Sequence, residues 1–266
     1  MAKKINTGFI TDKVNGITIK TTKKCHSSNY TAYNSRNVKY IVMHYTGNKK
    51  DTAVANANYF QSANRQASAH FFVDNSNIYQ SVALKNVAWH CGASTYYHNT
   101  CRNSNSLGIE MCCTADNYKI SQQTIENSAY LCANLCKRVG ITASQVDTYV
   151  LRHYDVTHKK CPAQMANSAT DADWTAFKTL VKNILKNGSA TATPAAFKQY
   201  TVKVTTDVLN IREGAGLDYK VVGTIKDKGV YTIVDEKKND DLTWGLLLSG
   251  KANKNKWISL YYTKKV

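Results

Sequence analysis

The sequence lacks the long apolar run that a membrane-spanning helix requires. No stretch of about 18 consecutive apolar residues occurs in the 266-residue chain, so we expect no membrane insertion. The first residues, MAKKINT, include two lysines, but no apolar segment of the kind found in a Sec-type signal peptide follows them. We therefore expect a protein that is made in a cytoplasm without a signal peptide.

The eight cysteines lack the spacing of a structural zinc cluster or of a disulfide framework. No CxxC pair occurs, so a four-cysteine zinc site is not supported. Cys112 and Cys113 are adjacent in a predicted strand, and Cys132 and Cys136 lie one turn apart on a predicted amphipathic helix. These four residues are therefore predicted to be buried thiols.

Acidic residues are few, and the chain is basic along its whole length. The formal net charge is +17, with 22 Lys and Arg against 10 Asp and Glu in residues 1–196, and 13 against 8 in residues 197–266. No RNP aromatic motif, zinc-finger spacing or heptad-linked basic helix accompanies this charge. A nucleic acid and the anionic polymers of a bacterial wall explain the charge equally well, and composition alone does not choose.

A segment rich in small residues divides the chain. NGSATATPAAFK contains Gly, Ser, Thr and Pro with little apolar periodicity, and we place a linker at residues 188–198. Before it, at 1–187, strand and helix patterns alternate and predict a mixed α/β domain. After it, at 199–266, short strands separated by regular turn signals predict a small all-β barrel or sandwich.

Two helices have clear boundaries in the sequence. Ser121 is predicted to cap a helix over residues 122–139, whose apolar side chains fall on one face. A final helix carries Trp174 and Phe177 and is predicted to end at Gly188.

The stretch LRHYDVTHKKCPA, residues 151–163, suggests part of a metal site. A catalytic zinc ion is held by three nitrogen, sulfur or oxygen ligands and keeps one open position, and His153 and Cys161 offer two of them. His44 is the predicted third ligand, because it ends the buried strand YIVMHYT much as His153 is predicted to end the strand TYVLRH.

The sequence pattern also allows other roles for these residues. His70, His90 and His158 compete with His44 for the third ligand position. A lone histidine at a strand end is more often a hydrogen-bonded structural residue than a ligand, and a lone cysteine before proline is more often simply buried. Cys161 as a nucleophile activated by a histidine is a further alternative.

Five motifs resemble a known family. YIVMHYTGN, ASAHFFVD, WHCG, NSNSLGIEMC and RHYDVTHKKCPA occur in this order over roughly residues 30–185. Together they resemble the N-acetylmuramoyl-L-alanine amidases of the amidase-2 type, which are related to peptidoglycan recognition proteins. The resemblance implies a mixed central sheet flanked by helices, and bacterial peptidoglycan as the partner in place of nucleic acid.

The resemblance also implies roles for particular residues. In this family zinc is held by two histidines and a cysteine or aspartate, which correspond to His44, His153 and Cys161. The implied reaction is hydrolysis of the amide between N-acetylmuramic acid and L-alanine, with zinc supplying an activated water. Glu110 matches the family's catalytic glutamate, and Lys159 matches a lysine that stabilises the oxyanion.

The resemblance also implies roles for two further histidines, and the chain departs from some family members at one position. His70 and His90 correspond to cleft residues placed to bind substrate or to orient the metal ligands. Some phage members carry a catalytic tyrosine directly before the histidine equivalent to His70, but this chain has Ala69 there. That departure shifts the base role onto Glu110.

The tail, with LNIREGAG and KWISLYY, resembles a bacterial SH3-like domain that binds cell walls. An amidase domain joined to such a tail without a signal peptide resembles a phage endolysin, made in the host cytoplasm and acting on the wall after release. Two alternatives remain: a zinc endopeptidase that cuts the stem peptide elsewhere, and a non-catalytic peptidoglycan-binding protein.

Overall fold

The chain divides into two compact units, Met1–Ala192 and Thr193–Val266. The computed structural model describes residues 2–166, 171–187, 199–239, 242–248 and 256–266. The predicted linker at 188–198, with Gly188 as the predicted helix end, lies outside the described residues.

The first unit combines short strands with helices. Its strands are β1 (Lys3–Ile5), β2 (Lys13–Val14), β3 (Ile17–Thr18), β4 (Tyr30–Thr31), β5 (Arg36–Val38), β6 (Tyr40–Tyr45), β7 (Phe71–Val73), β8 (Ile78–Gln80), β9 (Val87–Ala88), β10 (Ser106–Met111) and β11 (Val150–Arg152). Its α-helices are α1 (Ala53–Tyr59), α2 (Gln122–Val139), α3 (Val146–Tyr149), α4 (His153–Thr157) and α5 (Ala172–Lys186).

Five strands form the central sheet, in the order β11-β6-β10-β7-β8. The strands β11, β6, β10 and β7 are parallel, and β8 is antiparallel to β7. The predicted α/β fold with a mixed central sheet is therefore confirmed. Because four strands run the same way, the residues at their carboxyl ends meet along one edge of the sheet.

The two faces of the sheet have different partners. Alternate side chains of β6 and β10 pack into the main core together with α2 and α5, and this set includes Ile41, Met43, Leu107, Ile109, Met111, Leu131, Leu135 and Phe177. The intervening residues of β6 point to the opposite face, where Tyr40 and Val42 pack with Leu151 and Val156. The β10 residues that share this second face lie outside the main core, and their side chains are available for a functional site.

The helix α2 is bounded as the sequence predicts. The Ser121 hydroxyl accepts a hydrogen bond from the Thr124 backbone N–H at 3.2 Å, which satisfies one of the unpaired donors at the helix start. Gly140 ends the helix at φ 78°, a left-handed conformation that suits glycine. The last helix, α5, is capped by Asn187.

The predicted strand TYVLRH is wrong at both ends. Its first residues belong to α3, and His153 begins α4 instead of ending a strand. The reason at the His153 end is local: the Asp155 carboxylate accepts a hydrogen bond from the Arg152 backbone N–H at 2.8 Å and pairs with the Arg152 guanidinium. This bond caps a helix directly after β11.

All eight cysteines are free thiols, and all are buried in the first unit. The prediction of buried thiols at Cys112, Cys113, Cys132 and Cys136 is confirmed. The two adjacent cysteines, however, follow the end of β10 instead of lying within it.

The second unit is built on one antiparallel sheet. Its strands are β12 (Tyr200–Val204), β13 (Leu209–Arg212), β14 (Val221–Ile225), β15 (Val230–Asn239), β16 (Leu242–Leu247), β17 (Trp257–Ser259) and β18 (Thr263–Lys265), in the order β14-β13-β17-β16-β15-β12-β18. A small core fills it, with Ile233 and Ile258 fully buried.

Across the described parts of both units, no helix combines the length and the apolar character needed to cross a membrane.

Candidate metal centre

Three neighbouring parallel strands bring chemically active residues to one edge of the central sheet. His44 lies near the end of β6, and Glu110 pairs with it in register on β10. His153 directly follows β11, the neighbour of β6 on its other side. Residues more than a hundred positions apart therefore meet because their strands are adjacent and parallel.

Cys161 reaches the same place through a reversal of the chain after α4. His158 ends that helix at φ 59°, in the left-handed region, and the chain then turns back. The Tyr154 backbone N–H donates to the Cys161 carbonyl at 3.0 Å and holds the returning segment against the helix. The Cys161 thiol thereby lies beside His44 and is almost fully buried.

The three predicted ligands form a compact cluster. His44 Nδ1 lies 3.1 Å from His153 Nδ1 and 3.9 Å from Cys161 Sγ, and all three ligand atoms lie within 4.8 Å of one another. In a tetrahedral zinc site, with Zn–N of about 2.0–2.1 Å and Zn–S of about 2.3 Å, ligand atoms are separated by about 3.3–3.6 Å. The cluster therefore fits one metal ion.

The protonation states of the ligands also suit a metal ion. Burial, with the nearby His90, His153 and Lys159, holds the pKa of His44 well below its usual range. Burial, and then the charge of Lys159, lowers the pKa of His153 to about 4. Both imidazoles are therefore neutral near pH 7, which is the form that coordinates metals.

The thiol of Cys161 needs a cation to ionise. Burial, and then the negative charge of Glu110, raises its pKa to about 12. A metal ion beside the sulfur would supply the compensating charge, because coordination deprotonates a thiol. Two neutral imidazoles and one thiolate make a donor set that could hold a transition metal.

Glu110 lies on the same face as the cluster and carries an unsatisfied oxygen. Its Oε2 is buried and has no hydrogen-bond partner among the described residues. Burial raises the pKa of this carboxyl to about 7, with Lys159 opposing the shift and Asp51 adding to it. A buried, unpaired carboxyl oxygen is costly to maintain, and a carboxyl that titrates near neutral pH suits proton transfer.

Lys159 is exposed at the rim of the site. Its positive charge contributes to lowering the pKa values of His44, His153 and Glu110. The ammonium group is therefore close enough to act electrostatically on the cluster while remaining in contact with solvent.

His158, an alternative ligand in the sequence, is not part of the cluster. It is exposed, and its ring stacks on Tyr97 with centroids 3.6 Å apart. Its left-handed backbone, which reverses the chain, is its contribution to placing Cys161.

His70 lies inside the fold and not on a substrate-facing surface. It is 0 % exposed, and its Nδ1 accepts from the Gly108 backbone N–H at 3.0 Å. The proton on Nε2 therefore faces the Asn86 carbonyl at 3.1 Å, with Arg36 close beside it. With both ring nitrogens committed, the described geometry gives His70 no group to offer a substrate.

His90 contacts the cluster directly. Its Nδ1 lies 3.0 Å from His44 Nε2, and its Nε2 lies 3.1 Å from the Ser106 hydroxyl. Like His70, it has no ring nitrogen free for substrate. Ser106 was not among the predicted site residues, although the alternation of Ser106, Gly108 and Glu110 with apolar residues along β10 marks a face of the strand that differs from the core face.

The chain is similar to a known family of enzymes. The family model described as N-acetylmuramoyl-L-alanine amidase matches residues 34–164. The N-acetylmuramoyl-L-alanine amidase CwlL of Bacillus licheniformis is 33% identical over 173 residues, which are 61% of this chain and 46% of CwlL. BlyA of Bacillus subtilis strain 168, also an N-acetylmuramoyl-L-alanine amidase, is 35% identical over 158 residues, which are 54% of this chain and 41% of BlyA. This chain thus spans less than half the length of both relatives.

Solved structures agree with the family match. A mutant endolysin from Bacillus subtilis superposes with a TM-score of 0.51 and 27% identity, over 62% of this chain and 99% of that one. The catalytic domain of XlyA superposes with a TM-score of 0.50 and 26% identity, over 61% of this chain and 97% of that one. Residues 34–164, in the first unit of this chain, therefore match the Amidase_2 family model, and the first unit is similar in fold to these two solved structures.

Proposed function

We propose that this chain is a zinc-dependent N-acetylmuramoyl-L-alanine amidase that acts on bacterial peptidoglycan. The substrate bond is the amide between the lactyl group of N-acetylmuramic acid and the L-alanine of the stem peptide. The observation that carries the proposal is the cluster of His44, His153 and Cys161, with a Glu110 oxygen nearby that has no hydrogen-bond partner among the described residues. It lies within a domain whose relatives are named as amidases of this kind.

In this proposal the metal is held by His44, His153 and Cys161. Bound there, zinc would polarise the scissile carbonyl as a Lewis acid and lower the pKa of water. The cysteine serves as a ligand and not as a nucleophile, since a coordinated thiolate is committed to the metal.

Glu110 and Lys159 carry the chemistry that the protein itself must provide. Glu110 accepts the proton of the attacking water and passes it to the departing amine of L-alanine. Its raised pKa suits both halves of this transfer near neutral pH. The exposed ammonium group of Lys159 stabilises the negative charge that develops on the carbonyl oxygen.

The second unit is proposed to be an SH3-like module that binds the cell wall. Two observations support this: it forms a small antiparallel sheet with its own core, and residues 197–266 carry 13 basic against 8 acidic side chains. The excess positive charge would favour approach to a wall that carries anionic polymers. Lysis of the wall by an endolysin is the biological role that this arrangement suggests.

Mass spectrometry of digested peptidoglycan tests the proposed reaction. Zinc-loaded full-length chain should release stem peptides that begin with a free L-alanine amine and leave glycan with a free lactyl carboxyl. Cleavage between two amino acids of the stem would show a zinc endopeptidase instead. Binding without any cleavage, under conditions where zinc content is about one per chain, would show a non-catalytic peptidoglycan-binding protein.

A further inference from the structure

His90 occupies a space that β10 leaves open for its ring. A Cβ atom added to Gly108 would lie 2.6 Å from His90 Cγ and 2.8 Å from His90 Nδ1. Both separations are shorter than Cβ atoms in proteins show to non-bonded atoms. The ring is also nearly buried, with 8 % of the residue exposed. Glycine at position 108 therefore allows the imidazole to pack directly against the strand, between His44 and Ser106.

The hydrogen bonds around this ring have a single consistent direction. The Ser106 hydroxyl lies 2.7 Å from the Arg102 carbonyl, and a carbonyl only accepts, so the one hydroxyl hydrogen is used there. The Ser106 oxygen must then accept from His90, which places the His90 proton on Nε2. The other nitrogen, Nδ1, is left as an acceptor and takes its hydrogen bond from His44 Nε2–H.

This order decides which nitrogen of His44 faces the cluster with a lone pair. With its proton on Nε2, His44 presents an unprotonated Nδ1 toward His153 and Cys161. The opposite tautomer would point an N–H at the metal position and leave Nε2 and His90 Nδ1 as two facing acceptors. The chain from the Arg102 carbonyl through Ser106 and His90 thus holds His44 in the form that can coordinate.

We propose that Ser106 and His90 are positioning residues that fix the tautomer and orientation of the metal ligand His44. The inference deepens the proposed function and rests on it, since it takes His44 as a ligand. It assigns His90 a role in orienting the metal site and none in binding substrate. Partners of this kind commonly change metal affinity by about 10–100-fold when they are removed.

Zinc affinity of full-length variants tests the relay without using activity. Zn²⁺ dissociation constants would be measured by competition with a chromophoric chelator. Ser106→Ala and His90→Gln should bind zinc about 10–100-fold more weakly. His90→Asn should stay within about threefold of the native chain, because its amide oxygen can lie where His90 Nδ1 lies and accept from His44, whereas glutamine extends past that point.

Ser128→Ala is the matched control. Ser128 is also a fully buried serine, but its hydroxyl has no hydrogen-bond partner among the described residues and it lies on α2. Its removal should leave zinc affinity unchanged. Equal affinities for Ser106→Ala, His90→Gln and the native chain would overturn the relay. So would equal losses in His90→Asn and His90→Gln, because a general packing defect would explain them.

NMR of the chain labelled with nitrogen-15 in its histidine side chains identifies the tautomers directly. His44 and His90 should both carry their proton on Nε2, in metal-free and zinc-loaded protein. A proton on Nδ1 of His90 would overturn the inference. A native chain that binds no zinc would instead overturn the proposed function, and the metal-free spectrum would still decide the direction of the relay.

Discussion

At the scale of single residues, the burial of Glu110 is unfavourable for stability but suits proton transfer. Its Oε2 is buried without a partner among the described residues, and burial raises its pKa to about 7. A carboxyl in this setting accepts and releases a proton more readily at neutral pH than an ordinary glutamate does. Two consequences can be measured, one in turnover and one in stability.

Glu110→Gln should lower turnover on muropeptides by roughly 10²–10⁴-fold, because it removes the group that accepts the proton. Zinc content should stay at about one per chain, since Glu110 is not among the three clustered ligands. Turnover would be followed by release of stem peptide, with zinc measured on the same samples. Near-native turnover in Glu110→Gln, with a large loss in Lys159→Ala, would show that the proton leaves by another route.

The same substitution should stabilise the metal-free chain at high pH. Below pH 4.5 the carboxyl is protonated in both states and costs nothing extra. Above about pH 7 it is ionised in both, and the folded state bears the full penalty of the shift from 4.5 to about 7, about 3 kcal/mol as an upper value. Urea unfolding of metal-free protein should therefore show Glu110→Gln gaining stability over the native chain from pH 4 to pH 8. A constant difference over that range would contradict the raised pKa.

At the scale of secondary structure, β10 organises the candidate site. Ser106, Gly108 and Glu110 alternate along it with core residues. One face contacts His90 and places Glu110 in register with His44, while the other face packs into the core that includes α2. A change on the first face therefore reaches His90 and the candidate site directly.

Gly108→Ala should be destabilising, because its Cβ would overlap the His90 ring at 2.6 Å. Overpacking of this kind costs about 1–3 kcal/mol of unfolding free energy, measurable as a shift of the urea midpoint. Gly8→Ala is the control, since nothing lies within 4 Å of a Cβ atom added at that position. A Gly108→Ala chain with native stability would mean that the ring moves aside freely.

The sequence predicts elements well where local signals agree. The helix α2 follows from the Ser121 cap and apolar periodicity, and the apolar runs give β6 and β10. It fails at TYVLRH because the bond between Asp155 and the Arg152 N–H begins a helix there. This local hydrogen bond ends the strand at Arg152 and turns His153 into the first residue of a helix.

The assembly of the site depends on contacts that the sequence does not display. His44 and His153 meet because β6 and β11 are adjacent and parallel, which spacing alone does not reveal. His70 and His90 are both buried, yet Arg36 and Asn86 contact the first while Ser106 and His44 contact the second. Family resemblance supplied the predicted ligands, whereas Ser106 became visible only through strand register.

At the scale of the whole molecule, the division into two units allows the role of each unit to be tested separately. A chain ending at Asn187 should cleave soluble muropeptides within a few-fold of the full chain, because the candidate site lies in the first unit alone. The amount retained on intact walls should be at least roughly 10-fold lower than for the full chain, because the second binding module is lost. Sedimentation of walls measures retention; equal retention by both chains would remove the targeting role of the second unit.

Salt should reduce the contribution of the second unit to that retention. Residues 197–266 carry an excess of basic over acidic side chains, and attraction between exposed charges weakens as ionic strength rises. The difference in wall retention between the full chain and the chain ending at Asn187 should therefore shrink as salt is added, in the same sedimentation measurement. A difference that does not change with salt would point to uncharged contacts with the wall.

The distribution of cysteines gives the molecule a built-in reporter of unfolding. All eight thiols are buried and unpaired in the first unit, and residues 193–266 contain none. A thiol-reactive dye added to intact protein would therefore count openings of the first unit alone, whatever the second unit does. The time course of labelling, followed with and without zinc, would give the rate at which the first unit opens, in a chain that carries both units and without any added probe site.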